Sequence, residues 1–341
     1  MVLDSVKSNV RSKSVLVTGA SGYLGQHLLF SLSTNVLGGD DNDPFVENTR
    51  VIAAYGSLAT FEDDFTSSRH TKHPNVTIQL VGGVDFSLRS SIDSLFSGHG
   101  PFDVVVNLAA LSSPYACQTS PEKAVSINRE GLLYLSKLLP ESTDIIHLST
   151  DQVYEGTASW YKETDAATPL NVYGETKLAS ERDLLACRTN AIALRSSLII
   201  GPSTPLRCRK QTFLQFIVDR LLKGEETNFF TDEYRSVVFV CDVVEVIRYY
   251  INNRIGDQGG GIFNMGGSDR VSRFDLVCAV ADHLNLSLKS ANGVERASLP
   301  PGKVPSPLDI SMDISKLKII TGIEMKGLKE MVEFSLPKNV P

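Results

Sequence analysis

Short, uninterrupted apolar runs recur along the chain between longer stretches whose apolar residues return every three or four positions. The short runs fit strands buried on both faces of a sheet, and the longer stretches fit the helices that cover it. On this reading residues 14–18 form a first strand and 23–33 the helix after it. Residues 51–55, 76–80, 104–108, 145–149 and 191–200 are further strands. Residues 121–139 form a helix between two of them, and another helix starts near Tyr173. Such alternation predicts an α/β protein with a Rossmann-like, doubly wound parallel sheet. The acidic, glycine-containing stretch 38–49 interrupts the pattern and reads as a loop insertion.

Beyond Gly201-Pro202 the pattern changes. A helix is expected over 212–222, an apolar stretch over 229–240, a helix over 243–251, a flexible loop over 256–261 and a short apolar run over 262–265. Residues 298–307 hold four prolines and fit neither a helix nor a central strand. The expected division is a flexible tail (1–13), an NAD(P)-binding Rossmann domain (14–202, with a return segment at about 239–267) and a smaller α+β substrate-binding lobe (203–238 and 268–341). No internal repeat or low-complexity tract is visible.

Composition narrows the function classes. With 341 residues, 42% of them hydrophobic, the chain can bury one large core and a smaller one. A net charge of -6 gives no general attraction to nucleic acid or to an anionic membrane surface. No segment approaches the roughly 18 uncharged apolar residues of a membrane span, and the first residues lack the apolar core of a signal peptide. The expectation is a cytoplasmic protein with neither nucleic acid nor membrane as partner. The five cysteines form no CxxC pair and read as buried free thiols in a reducing compartment. His70 and His73 sit in a polar stretch and read as solvated, so no metal is expected.

Thr18-Gly19-Ala20-Ser21-Gly22-Tyr23-Leu24-Gly25 follows the first strand and opens the first helix. Glycines there allow a tight turn, a close backbone approach to pyrophosphate and close helix packing. The helix N-terminus adds unpaired amides and a positive dipole end. Gly19, Ser21, Gly22, Tyr23 and Leu24 are therefore candidate cofactor ligands. An NAD-binding site usually has an acidic residue at the end of the second strand. Here Gly56-Ser57 follow, which favours NADP(H) without excluding NAD(H), although no arginine stands there to pair a 2′-phosphate. Asp85 and Phe86 follow the third strand, where Asp85 would accept from the adenine amino group or, alternatively, cap the helix after it.

Tyr173-Gly-Glu-Thr-Lys177 puts a phenol and an ammonium on one helical face. A neighbouring ammonium stabilises phenolate, which would lower the Tyr173 pKa toward neutrality for acid/base work. Ser149-Thr150 brings hydroxyls to the carboxyl end of a strand, where doubly wound sheets bind ligands. Thr150 would polarise a substrate carbonyl, and Lys177 would also hold the nicotinamide ribose. Metal ligands are absent from this pattern.

The glycine loop, Asn107-Leu-Ala-Ala, Ser149-Thr-Asp-Gln-Val-Tyr-Glu-Gly and Tyr173-Gly-Glu-Thr-Lys-Leu-Ala-Ser-Glu together resemble the extended short-chain dehydrogenase/reductase family. Within it the chain is similar to dTDP-4-dehydrorhamnose reductases and to their relative, the regulatory β subunit of methionine adenosyltransferase. The resemblance runs on through Phe239 to Val244, Phe263 to Gly267 and Leu308 to Leu317. It implies Thr150, Tyr173 and Lys177 as a catalytic triad, the glycine loop as the pyrophosphate cradle, and Leu108, Ala109 and Ala110 as cofactor-lining residues. The chain departs from those reductases at Gln152, Tyr154 and Ser306-Pro307.

The leading expectation is an NADP(H)-dependent oxidoreductase acting on a carbonyl substrate, such as a 4-keto-6-deoxy nucleotide sugar. The alternative is a cofactor-loaded regulatory subunit with a methionine adenosyltransferase partner. Sugar-nucleotide dehydration ranks low because the Gln152 amide cannot act as a base, and epimerisation on the same triad is a further option. A homodimer is an open alternative to a single chain. Arg207, Arg209, Lys210 and Arg235 are basic residues that could face a substrate diphosphate or simply be solvated, and the C-terminal stretch from Lys326 could dock on a partner or pack on its own domain.

Overall fold

The computed structural model describes residues 12–34, 48–56, 60–68, 73–208 and 212–338. The predicted tail and the 38–49 insertion lie mostly outside these residues, as do His70, Arg209 and Lys210. The first strands are β1 (Lys13–Thr18), β2 (Thr49–Ala54), β3 (Val76–Val81), β4 (Val104–Asn107), β5 (Asp144–Thr150), β6 (Ala191–Ser196) and β7 (Ile199–Ile200). They are followed by β8 (Thr227–Phe230), β9 (Tyr234–Arg235), β10 (Val238–Phe239), β11 (Gly261–Met265), β12 (Val271–Ser272) and β13 (Ala291–Val294). Seven of these make one sheet in the order β11-β6-β5-β4-β1-β2-β3, with every neighbouring pair parallel. The chain reverses its direction of travel across the sheet between β1 and β4. In open doubly wound sheets such a reversal is where ligands bind, outside the carboxyl ends of the two strands.

The strands read as continuous apolar runs because both faces are covered. Val15 and Val17 pack with the Tyr23–Ser33 and Val240–Asn252 helices in one core. Leu16, between them, packs with Ile92, Leu95, Leu132 and Leu135 on the opposite face. A further core holds the Phe213–Lys223, Arg273–Leu284 and Leu328–Ser335 helices together. Ser272 caps the second of these with Asp275 in a reciprocal capping box. The C-terminal helix packs on the protein's own Arg273–Leu284 helix, burying Met331 and Val332.

Several elements differ from expectation. The predicted strand 191–200 is two strands: after β6 the chain leaves the main sheet, and β7 pairs with β10 instead. The predicted helix 121–139 contains a π-helical turn, Ser126–Glu130, between Pro121–Val125 and Gly131–Leu138. A short helix, Pro114–Thr119, precedes it. The expected flexible loop 256–261 begins with a helical turn, Ile255–Gln258, because Ile255 is fully buried and anchors it. His73 is buried, not solvated, its Nδ1 accepting from the Asn75 amide. Of the five free thiols only Cys117 is buried, and Cys187 is exposed. Among the described residues no helix is long and apolar enough to cross a membrane.

Candidate active site

The glycine loop is shaped by contacts that only glycine tolerates. Gly19 has φ +68°, and a Cβ there would stand 2.9 Å from the Leu108 carbonyl and the Ala109 amide. A Cβ at Gly25 would stand 2.5 Å from the Gly19 carbonyl oxygen, so the helix start packs directly on the turn. Gly22 occupies the N-cap position, and no side chain caps the helix there. The first-turn amides of Tyr23 and Leu24 therefore keep their orphan donors beyond the carboxyl end of β1. The Leu24 side chain is buried in the core, while Ser21 is partly exposed beside the exposed Gly22. Tyr23 donates its hydroxyl to the Pro202 carbonyl at 3.0 Å. Gln26, fully buried, bonds Ser21 O and Arg207 O and accepts from Leu206 N, tying the 201–208 loop over the helix start.

A buried polar chain runs across three strands from this loop. Thr18, Asn107 and His147 are direct register partners on β1, β4 and β5. Thr18 Oγ1 accepts from the Leu108 and Ala109 amides at 3.1 and 3.0 Å and donates to Asn107 Oδ1 at 2.8 Å. Asn107 Nδ2 lies 3.0 Å from His147 Nδ1, and His147 Nε2 lies 3.2 Å from both Lys177 Nζ and Ser180 Oγ. Sequence reading had named Leu108, Ala109 and Lys177 but not the Asn107 and His147 side chains that join them. Ala110 follows, partly exposed at the end of β4.

Tyr173 stands beside Thr150 at the carboxyl end of β5, and Lys177, one helical turn further on, is buried against His147 in the same strand. Asn171 caps the Val172–Cys187 helix, accepting from the Gly174 amide at 3.0 Å, which points the first turn at the strand end. Tyr173 faces Thr150, whose hydroxyl acts on the phenol, and Thr150 Oγ1 lies 3.2 Å from Asp151 Oδ1. Asp151 is buried and accepts from Ser197 at 2.9 Å; burial raises its pKa, against the pull of the Arg235 charge.

The electrostatics differ from the expected picture. Burial pushes the Tyr173 phenol above its usual value, and the Thr150 hydroxyl only partly offsets this. Burial also pushes Lys177 down from 10.5 to about 7, despite the nearby Glu181 charge. A lysine that is half neutral at pH 7 cannot hold the phenol down as a full ammonium would. The predicted lowering of the Tyr173 pKa is therefore corrected: burial raises it.

Behind the triad lies a buried ion pair that sequence reading missed. Arg195 Nη2 meets Glu181 Oε2 at 2.8 Å, with side chains 3% and 0% exposed. Ser149 Oγ donates to Glu181, Arg195 Nη1 donates to Tyr154 Oη at 2.9 Å, and Tyr154 donates to Asn264 Oδ1 at 2.8 Å. The i, i+4 spacing of Lys177 and Glu181 was the available clue, but nothing local linked either to Arg195.

Other named residues have different duties. Asp85 Oδ1 accepts from the Ser87 amide and hydroxyl at 2.8 and 2.6 Å, stabilising the turn before the Arg89–His99 helix and lowering the Asp85 pKa. Phe86 is buried in the core against the Gly131–Leu138 helix. Arg207 is exposed. Arg235 is neither solvated nor free: it is 4% exposed and donates to Tyr234 O, Leu308 O, Pro307 O and Ser306 Oγ.

Known proteins share this architecture. Methionine adenosyltransferase 2 subunit beta of Danio rerio is 27% identical over 237 residues, 68% of this chain and 72% of that protein. The chain spans 64% of the Xenopus tropicalis counterpart, at 28% identity over 64% of its own length. A dTDP-4-dehydrorhamnose reductase of Aggregatibacter actinomycetemcomitans is 27% identical over 260 residues, 71% of this chain and 82% of that protein. The crystal structure of the Bacillus anthracis dTDP-4-dehydrorhamnose reductase in complex with NADP superposes with a TM-score of 0.72. That match is 17% identical and covers 95% of this chain and 98% of the other, which bears on the fold alone. The family model described as RmlD substrate binding domain matches residues 13–339. A doubly wound sheet, a glycine loop at its reversal point and this match over nearly the whole length agree: the chain belongs to the RmlD substrate binding domain family.

Proposed function

We propose that the chain is an NADP(H)-dependent reductase of a carbonyl group, with a 4-keto-6-deoxy nucleotide sugar as the substrate class. The observation that supports the reading is position: the glycine loop follows β1 and packs on the residues after β4, Thr150 ends β5 with Tyr173 beside it, and Lys177 lies one turn further along the Tyr173 helix. The loop fits a dinucleotide because Gly19 and Gly25 leave no room for side chains and the uncapped helix start presents bare amides. Gly19, Ser21, Gly22, Tyr23 and Leu24 would hold the pyrophosphate, Leu108 to Ala110 would line the nicotinamide side, and Asp85, through its second oxygen, would meet the adenine. Tyr55 and Gly56 follow β2 with no carboxylate between them, which favours a 2′-phosphate over a free ribose hydroxyl.

A bound dihydronicotinamide supplies the hydride. Thr150 orients the carbonyl oxygen, and the high phenol pKa keeps Tyr173 protonated as the acid that receives the developing alkoxide. Lys177 holds the ribose and takes up or returns a proton near neutral pH. The lobe around the Phe213–Lys223 and Arg273–Leu284 helices would close the substrate side. The test is NADPH consumption with a dTDP-4-keto-6-deoxy sugar, comparing wild type with Tyr173→Phe. Consumption that survives the substitution removes the triad from the reaction.

The resemblance to methionine adenosyltransferase 2 subunit beta favours a second reading, a cofactor-loaded regulatory subunit. It is supported by a stable complex with a methionine adenosyltransferase in a pull-down, together with NADPH binding and no consumption.

A further inference from the structure

The polar chain between the glycine loop and Lys177 fixes where each proton sits. A threonine hydroxyl has two acceptor sites and one donor. At Thr18 both acceptor sites are filled by the Leu108 and Ala109 amides, so its hydrogen must go to Asn107 Oδ1. That choice settles the Asn107 amide: its oxygen faces Thr18 and its NH2 faces His147 Nδ1. His147 Nδ1 is then an acceptor, and in a neutral ring the hydrogen resides on Nε2. A neutral ring is what the site permits, because His147 is fully buried and no carboxylate bonds it.

The Nε2–H points into the space shared by Lys177 Nζ and Ser180 Oγ, each 3.2 Å away. An ammonium has three donors and no acceptor, so a protonated Lys177 meets this N–H donor to donor. A neutral amine meets it with a lone pair. The other groups acting on Lys177 are Glu181 on its own helix and Cys117 on the Pro114–Thr119 helix. Glu181 is already held by Arg195 and Ser149, and the Cys117 thiol donates to Leu111 O at 3.0 Å. Neither supplies the acceptor that an ammonium would need on the His147 side.

We propose that His147 is a positioning residue for Lys177: held as the Nε2–H tautomer by Thr18 and Asn107, it turns a lone pair of the amine toward itself. The same chain begins at the amides of Leu108 and Ala109, so the backbone after β4 is wired to the proton inventory of the lysine. Its bearing on carbonyl reduction rests on the reductase reading, but the tautomer and the lysine's titration are read without substrate. The two readings can therefore fail separately.

The first measurement is long-range 1H–15N NMR of the full chain labelled with 15N-histidine, His147 being assigned by its loss in His147→Leu. The expected result is a protonated Nε2 and a bare Nδ1 from about pH 6 to about pH 9. An Nδ1–H tautomer or an imidazolium in that range overturns the proposal. The second is the pH titration of the Lys177 amine, followed by NMR of the full chain labelled with 13C-lysine in wild type and His147→Leu, Lys177 being assigned by its loss in Lys177→Met. Removing the donor relieves the ammonium, so the Lys177 midpoint should rise by about one unit, a tenfold shift in the protonation equilibrium. A midpoint unchanged or lowered in a folded variant overturns it. Because the NMR result is read on wild type, the proposal remains refutable if His147→Leu does not fold.

Discussion

Glu181→Leu tests whether the ion pair behind the triad is a charge pair that cannot be halved. Both side chains are out of water, at 3% and 0% exposure, and three contacts of 2.8 to 3.2 Å join the guanidinium to the carboxylate. Removing Glu181 leaves the Arg195 cation buried with only Tyr154 as a partner, which costs about 3–5 kcal/mol. At about 2.1 cal/mol/K of unfolding entropy per residue, a chain of 341 residues loses about 0.7 kcal/mol of stability per degree near its midpoint. Thermal unfolding followed by circular dichroism should then show a midpoint about 4–7 °C lower for Glu181→Leu. Adding Arg195→Met removes the stranded charge and should recover at least half of that loss. The reasoning is refuted if the single variant melts within about 1 °C of wild type, or if the double variant falls by the sum of the two singles.

Three further outcomes are expected. Tyr173→Phe should lower NADPH-dependent carbonyl reduction by about 10²–10⁴-fold while leaving NADPH affinity within about twofold, read by steady-state kinetics and fluorescence titration. Gly25→Ala would set a methyl 2.5 Å from the Gly19 oxygen; the displaced turn should weaken NADPH binding by about tenfold or more, and unchanged affinity would remove the loop from the cofactor site. Lys177 is held near 7 when folded against 10.5 ordinarily, so above neutrality the unfolded chain carries the extra proton and stability rises with pH. Urea unfolding at several pH values should show wild type gaining on Lys177→Met by up to about 1.4 kcal/mol per pH unit above pH 7. A difference that is flat or falls with pH refutes the buried amine.

The glycine loop was legible in the sequence because its cause is local: a strand, a left-handed turn and a helix start follow one another within a few residues. The strands were legible as apolar runs, yet β2 begins at Thr49 and Arg50, polar residues that sit opposite Lys13 and Ser14 in the register. Pairing with a neighbour extends a strand beyond the run that nucleates it, and no apolar pattern marks that extension. The same logic hid the Thr18–Asn107–His147 row. These residues are separated by 89 and 40 positions and become neighbours only when three strands take up one register. Burial of His147 was equally unreadable, since a single histidine inside an apolar run reads as a strand residue and nothing more.

Arg235, which the sequence offered as a residue that could face a diphosphate, is engaged within the protein instead. Its guanidinium has donors enough for a bidentate anion, but they are already placed at 2.7 to 3.3 Å on Tyr234 O, Leu308 O, Pro307 O and Ser306 Oγ. The proline-containing segment that supplies most of these acceptors is fastened from the other side by Asn171, whose amide donates to Pro305 O at 3.0 Å. It also packs so closely on the turn after Thr150 that a Cβ at Gly156 would stand 2.6 Å from Pro307. With Glu233 also 3.9 Å away, Arg235 braces this segment from within and is a structural cation in the folded protein. Asn171 thus joins two structures at once, donating to the proline-containing segment and capping the helix that carries Tyr173.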